Sequence, residues 1–280
     1  MEFITLNNGV QLPGIGLGVF RMTDEEVART VPAALDAGYR LIDTASRYYN
    51  EKAVGAALRS HGIPREEVFV TTKLWFKDYG YEKTRRAFEV SLDNLGLDHL
   101  DLYLMHQPFN DYYGAWRAME ELLDEGRVRA IGVSNLYSDR YLDLITHHRV
   151  VPAVNQREVH PFHQQDEAKA VQDRHGTVLQ AWGPLAQGNP DLYSHPVLQH
   201  IAATHGRSIP QIVLRWLLQR GIPLVAKSTD PARLRQNLAV FDFRLTADEL
   251  TAIARLDRGR PGLGFTHQDP RMLELLLKYA

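Results

Sequence analysis

From Arg40 almost to the carboxyl end, short apolar runs alternate with longer amphipathic segments, and no other property of the sequence narrows the fold so far. The runs are YRLID, VFVTTKL, LDLYLMH, RAIGVSN, VPAVNQRE, TVLQAW, IPLVAKS and AVFDF. Most are apolar throughout rather than strictly alternating, which is the pattern of strands covered on both faces. Between them the spacing predicts helices over Asp24–Gly38, Tyr81–Gly96 and Tyr113–Gly126, each closing on a glycine suited to a left-handed C-cap. Strand, helix, strand, helix in this order is the language of a parallel sheet.

Such a sheet is either open and doubly wound or closed into a barrel. A doubly wound dinucleotide fold carries G-x-G-x-x-G between its first strand and helix. The glycines of PGIGLGVF (Pro13–Phe20) fail that spacing and lie well before the first helix. FITLNNGVQLPGIGL reads instead as a hairpin about Asn7-Asn8-Gly9, placed to plug the bottom of a barrel. The expectation is therefore an α/β fold: a (β/α)8 TIM barrel, one domain over residues 1–280, with an N-terminal β-hairpin. Two extra helices are expected over Gly188–Gly206 and Leu245–Gly259, then a polar loop, GRPGLGFTHQDP, and a short terminal helix.

Composition excludes several classes of function. With 32 basic and 34 acidic residues dispersed along the chain, and a net charge of −2, neither a nucleic-acid footprint nor an electrostatic membrane anchor is expected. Zero cysteines remove disulfides, thiolate metal sites and a thiol nucleophile. MEFITLNNGV lacks the basic and apolar regions of a leader, and no stretch approaches the ~18 uninterrupted apolar residues of a membrane span, so a cytoplasmic protein acting on a small molecule is expected.

In a parallel barrel all strand C-termini open on one face, where side chains distant in sequence converge. Asp43 and Tyr48 follow the first apolar run, Lys73 ends the second and His106 the third. Ser134 and Asn135 end the fourth, and Gln156 lies on the fifth. Singly each has a bland reading: a turn aspartate, a packed tyrosine, a solvated lysine, a satisfied core histidine. Together they suggest chemistry, because lysine is rare in strands and a buried ammonium needs compensation. A phenol with an ordinary pKa of ~10 gives up its proton more readily beside an ammonium. Tyr48 is then the acid, Lys73 its electrostatic support, Asp43 the anchor of Lys73, and a neutral His106 the group that orients a carbonyl oxygen. Carbonyl reduction also needs a hydride, which only a cofactor supplies. In VAKSTDPARLRQNL, Lys227, Ser228 and Arg233 gather near a helix start as a phosphate site would, although solvated charges on an ordinary helix explain this segment as well. His160 and His163 in EVHPFHQ, and the pair His147 and His148, have the wrong spacing for a zinc motif, so no metal is expected.

These residues resemble the aldo-keto reductase superfamily over essentially the whole chain. GYRLIDTASRYYNEKAVG, VFVTTKLW, DLYLMHQP, IGVSN, VNQ and VAKS followed by R and NL occur in the family's order. The branch most similar is that of bacterial members grouped with diketogluconate reductases and prostaglandin F synthase-like enzymes. The resemblance implies Asp43, Tyr48, Lys73 and His106 as a catalytic tetrad, its D-T-A-x-x-Y spacing selecting Tyr48 over Tyr49. It implies an extended NADPH whose carboxamide meets Ser134, Asn135 and Gln156 and whose nicotinamide stacks on Trp182, where the family more often has tyrosine. Gly183, Pro184, Leu185 and Gln187 would follow the pyrophosphate. Lys227, Ser228 and Arg233 would hold the 2′-phosphate, with Thr229 a further cofactor contact, and Gln236, in place of a common glutamate, and Asn237 would face the adenine. Phe20, Tyr49, Trp75, His106 and Gln107 would line the substrate pocket, Gln107 replacing a frequent tryptophan with a more polar wall. An apolar pocket would favour small-molecule carbonyl compounds with hydrophobic substituents, and the protein would be a monomer or weak oligomer. Two other functions fit such a barrel: a cofactor-sensing or scaffolding subunit, and a phosphosugar isomerase that needs no NADPH.

Overall fold

Two short strands come first, β1 (Phe3–Thr5) and β2 (Gln11–Pro13), paired antiparallel across the turn at Asn7-Asn8-Gly9 in the computed structural model, which describes residues 2–278. Gly9 takes the left-handed conformation (φ 86°) that lets its N–H return to Leu6 O at 2.9 Å. The barrel strands follow: β3 (Ile15–Gly18), β4 (Leu41–Asp43), β5 (Phe69–Leu74), β6 (Leu100–Met105), β7 (Val128–Ser134), β8 (Val154–Glu158), β9 (Val178–Trp182) and β10 (Leu224–Ala226). They are parallel, and β10 closes the ring by pairing Leu224, Val225 and Ala226 with Ile15, Gly16 and Leu17 of β3.

Around the ring stand α1 (Asp24–Ala37), α2 (Glu51–His61), α3 (Tyr81–Leu95), α4 (Tyr112–Asp124), α5 (Ser138–His147) and α6 (Asp166–Asp173), each after its strand. An insertion, α7 (Pro190–Ser194) and α8 (Pro196–His205), precedes α9 (Ile209–Gln219); α10 (Pro231–Leu238) follows β10; α11 (Ala247–Ala254) and α12 (Pro270–Leu277) are additional. The first extra helix of the sequence reading is thus two helices, divided at His195-Pro196 because proline cannot continue the helix before it. Gly38 and Gly96 cap α1 and α3 in the left-handed region as expected. α4 instead ends on a right-handed Glu125, with Gly126 left-handed one residue later.

One strand assignment needs correction. AVFDF is not a strand: Val240 is buried and Phe241 and Phe243 pack, half-buried, on the helical layer. Its place in the ring belongs to Ile15–Gly18, which the sequence assigned to the hairpin. The glycines that disguised this strand are what admit it, since a Cβ on Gly16 would lie 2.5 Å from Leu41 Cγ. YRLID is accordingly the second strand of the barrel.

Leu41, Phe69 and Val154, each the first residue of its strand, join Leu102, Leu104, Ala130 and Val225 in one apolar cluster with Leu6 and Leu12 of the hairpin. The hairpin therefore plugs the end where the strands begin. At the opposite end lie, among the described residues, all seven non-glycine residues with left-handed backbone: Arg21, Tyr49, Asn110, Asn135, Gln165, Ala186 and Gln187 each belong to a loop that leaves a barrel strand. Backbone strain of this kind gathers at functional sites. Among the described residues no helix is long and apolar enough to cross a membrane.

Candidate active site

β4 carries Asp43 to the strand-end face, opposite Gly18 on one side and Thr71 on the other. The chain then turns through a web of short bonds. Thr44 Oγ1 donates to Asn50 Oδ1 at 2.9 Å, Asn50 Nδ2 donates to Val19 O at 3.0 Å, and Ser46 Oγ donates to Lys73 O at 3.0 Å. Between these anchors runs a 3-10 turn, Ser46–Tyr48, ended by Tyr49 at φ 58°. α2 is fixed in turn by buried Glu51, which accepts from Thr72 Oγ1 at 2.7 Å and Asn94 Nδ2 at 3.2 Å. Tyr48 is thus presented from a rigid turn.

Lys73, one of the most buried side chains of the protein, points into the barrel from β5. Its three donor positions have three acceptors: Asp43 Oδ1 at 2.5 Å, Thr44 O at 2.9 Å and Tyr48 Oη at 3.4 Å. The second oxygen of Asp43 accepts from Gln156 Nε2 at 2.8 Å, and Gln156 also donates to Gln180 Oε1 at 2.9 Å. Burial pulls the Lys73 ammonium towards neutrality, but Asp43 and Tyr48 outweigh it and hold its pKa above the ordinary lysine value. The phenol behaves less simply than the sequence suggested. Lys73 does draw the Tyr48 pKa down, yet burial, aided by the negative charge of Asp43, raises it above the ordinary value on balance. Tyr48 therefore rests protonated. His106 rests uncharged: burial first, then Lys73, His267 and Arg47, keep its pKa well below that of a free imidazole.

Aromatic rings frame this corner. The Tyr48 ring lies 4.9 Å from Phe20 and 5.6 Å from His106, and Trp75 lies 5.3 Å from His106 in an edge-on contact. Gln107 is buried and held by its backbone, with its N–H donating to Tyr79 Oη at 3.0 Å; its side-chain Oε1 finds no partner among the described residues. Tyr49 is 76% exposed and stands on the rim rather than in the corner. Beyond Trp75 a groove of about 570 Å³ opens between Phe76, Phe109, Tyr112, Arg140, Leu273 and Leu277.

On the other side of Asp43, Ser134, Asn135 and Gln156 lie together. Ser134 Oγ donates to Gln156 O at 2.9 Å, Asn135 Nδ2 to His106 O at 3.1 Å, and Trp182 Nε1 to Asn135 Oδ1 at 3.0 Å. Trp182 is half-buried, so a planar ring is available beside three amide or hydroxyl groups. Gly183, Pro184, Leu185 and Gln187 form the loop after β9, in which Ala186 and Gln187 are left-handed. Lys227, Ser228 and Thr229 follow β10, and Arg233 is on the first turns of α10, its side chain 76% exposed and 3.7 Å from Asp230. Gln236 is exposed, whereas Asn237 is buried beside Tyr39, whose hydroxyl donates to Leu234 O at 3.4 Å. A planar stacking face at one end and accessible cations with hydroxyls at a helix start at the other suit a dinucleotide.

Several neighbours escaped the sequence reading. Gln180 sits two residues before Trp182 on β9 and supports Gln156; only strand alternation could have flagged it. Arg47, on the turn beside Tyr48, holds its guanidinium carbon 4.6 Å from the Tyr49 ring and 5.8 Å from the Trp75 ring. The loop between α11 and α12 reaches the strand-end face, where Gly262 N donates to Glu158 Oε1 at 2.8 Å and His267 is close enough to act on His106. No local pattern announces that return. His160 and His163 are paired by reciprocal backbone bonds of 3.1 and 2.9 Å about Pro161-Phe162 and do not lie on a helix.

The sequence of residues 14–258 matches the model of the aldo/keto reductase family. Among relatives, morphine 6-dehydrogenase of Pseudomonas putida is 45% identical over 270 residues, 91% of each chain. Glyoxal reductase of Bacillus subtilis (strain 168) is 43% identical over 259 residues, 92% of this chain and 93% of the relative. The structure of a Bombyx mori aldo-keto reductase in complex with NADP superposes with a TM-score of 0.88 at 33% identity, covering 93% of this chain and 94% of the other. With a closed (β/α)8 barrel, its hairpin plug and these relatives over nearly its full length, the chain belongs to the aldo/keto reductase family.

Proposed function

We infer that this oxidoreductase reduces aldehydes and ketones to alcohols with NADPH, and that Tyr48 is the proton donor. The observation that carries the reading is the contact of Tyr48 Oη with a buried, charged Lys73 at 3.4 Å, beside an uncharged His106. A carbonyl oxygen entering between Tyr48 and His106 meets a protonated phenol and a neutral imidazole. His106 orients that oxygen, and Tyr48 Oη passes its proton to it as negative charge develops. Lys73 stabilises the phenolate left behind, and Asp43, fixed by Gln156, keeps Lys73 charged and in place. A reduced nicotinamide supplies the hydride when bound. Ser134, Asn135 and Gln156 would hold its carboxamide and Trp182 its ring, while Lys227, Ser228, Thr229 and Arg233 would take the 2′-phosphate. The Bombyx mori neighbour's complex with NADP and the glyoxal reductase relative support this choice of cofactor and chemistry. We take residues 1–280 as one catalytic domain.

The test follows NADPH oxidation with a reactive aromatic aldehyde. Wild type is expected to turn over, and Tyr48→Phe to lose on the order of 10²-fold or more in kcat with NADPH affinity close to wild type. Unimpaired reduction by Tyr48→Phe removes the phenol from the chemistry; binding of NADPH without oxidation in wild type favours a sensing role.

A further inference from the structure

Residues 261–267, in the loop between α11 and α12, reach the strand-end face yet none of them is fully buried. They carry His267 to within electrostatic reach of His106. Among the described residues one hydrogen bond ties this stretch to the barrel, from Gly262 N to Glu158 Oε1 at 2.8 Å. The chain is held again on either side, where Arg258 N donates to Phe162 O at 3.0 Å and Gln268 Nε2 to Asp139 Oδ1 at 3.2 Å. A segment with so little buried surface opens at low cost unless such a bond holds it.

Glu158 ends β8 and is itself buried, with 6% of its surface exposed. The oxygen that takes the Gly262 N–H has neighbours from two other loops: Gln187 Nε2 donates to it at 3.5 Å, and His160 Nε2 stands 3.3 Å away. Burial alone would raise the Glu158 pKa, but His160 and the Gly262 N–H outweigh it and hold it below the ordinary glutamate value. The carboxylate is therefore charged at neutral pH and a strong acceptor. Gln187 has left-handed backbone (φ 53°), as does Ala186 before it (φ 50°). The three segments pack closely: a Cβ on Gly262 would lie 2.8 Å from Glu158 Oε1 and 3.1 Å from Gln187 Nε2, and one on Gly183 would lie 3.7 Å from Gln187 Cγ. The loop that leaves β9 and the loop before α12 thus meet on one carboxylate oxygen.

We propose that Glu158 is a positioning residue that couples these two loops, so that NADPH laid along residues 183–187 also orders residues 261–267 and with them His267 beside His106. This rests on the reading of Gly183, Pro184, Leu185 and Gln187 as the pyrophosphate path, and it adds a segment that the reading does not place against the cofactor. A ligand that fixes Gln187 fixes one donor to Glu158, and Glu158 then presents a set oxygen to Gly262, so the second loop loses less freedom on ordering once the first is held. The effect is mutual by linkage: ordering of residues 261–267 strengthens NADPH binding by the same factor.

The test is hydrogen exchange of the full chain, read by mass spectrometry with and without NADPH. In wild type NADPH is expected to slow exchange at residues 183–188 and also, by about 5-fold or more, at residues 262–267. In Glu158→Ala the first effect should remain and the second vanish, with the NADPH Kd raised by a similar factor. Glu158→Gln, which keeps an acceptor oxygen without the charge, should retain part of the coupling. Gly262→Ala leaves β8 intact and, by pushing the loop off the carboxylate, is expected to behave as Glu158→Ala does; it decides the matter if Glu158→Ala fails to fold. Protection of residues 262–267 that is missing from wild type, or that survives in either folded alanine variant, overturns the coupling while the cofactor reading stands. Absence of any slowing at residues 183–188 in wild type at saturating NADPH overturns the cofactor path, and the coupling with it.

Discussion

At the scale of single residues, the arrangement turns on one buried ion pair. Removing Lys73 would strand Asp43, whose side chain would keep only Gln156 as a partner among the described residues, and breaking a buried pair from one side costs ~3–5 kcal/mol. Lys73→Met is therefore expected to unfold in urea at a lower midpoint as well as to lose turnover, and Asp43→Asn added to it should recover part of the stability but none of the activity. Because burial leaves the Tyr48 phenol above its ordinary pKa, the acid form persists through neutral pH, so a rate profile should show no loss of the proposed proton donor until the solution is strongly alkaline. At the proposed cofactor end, Arg233 is exposed and its contribution is screened, so Arg233→Ala should weaken NADPH about tenfold, ~1.4 kcal/mol, and NADH less, as measured by fluorescence titration. Equal losses would remove the 2′-phosphate assignment. The residue types at Asp43, Tyr48, Lys73 and His106 were legible because each ends or follows an apolar run. Arg47 and Gln180 were not, since nothing adjacent in the chain distinguishes a rim arginine from a solvated one.

Elements explain why the strand-end face is so well held. β5 offers Lys73 to the interior only because its alternate residues pack outward against helices, and β8 and β9 bring Gln156 and Gln180 level through the register of β8 with β9. Small residues set the limits of this packing. On β7 a Cβ added at Gly132 would lie 2.5 Å from Val154 O and 2.7 Å from Leu104 Cδ2, and the first contact is backbone that cannot rotate away. Gly132→Ala is thus expected to destabilise by ~1–3 kcal/mol, seen as a lower denaturation midpoint, although Gly132 lies within the strand rather than at its functional end. A midpoint equal to wild type would show that β7 and β8 can shift apart. Sequence reading did well with long amphipathic helices, whose caps are local: Thr23 and Glu26 form a reciprocal capping box at the start of α1. It failed for β3, because a four-residue strand containing two glycines has no apolar pattern of its own and is defined by its neighbours β10 and β4.

For the molecule as a whole, acid should be more damaging than the composition suggests. His106, His148, His163 and His267 all have pKa values lowered chiefly by burial, that of His267 to about 4. Groups that bind protons more weakly when folded favour the unfolded chain as pH falls. Their contribution is complete above ~6.5 and is lost on the way down to the folded values. Thermal midpoints should accordingly be level above neutrality and fall between about pH 6.5 and 4, and His267→Gln should flatten part of that slope; an unchanged slope would mean that His267 stays solvated. The sequence alone determined the βα repeat, the closed barrel, the family and the identity of the residues at the strand ends, because these depend on hydrophobic period and short spacings, which are written along the chain. Which strand closes the ring, which side chains flank Tyr48 and Lys73, and the return of Gly262 and His267 to the same face were decided only by the tertiary structure. Those features arise from contacts between segments far apart in the chain, where packing and burial, not local propensity, select the partner and shift its charge.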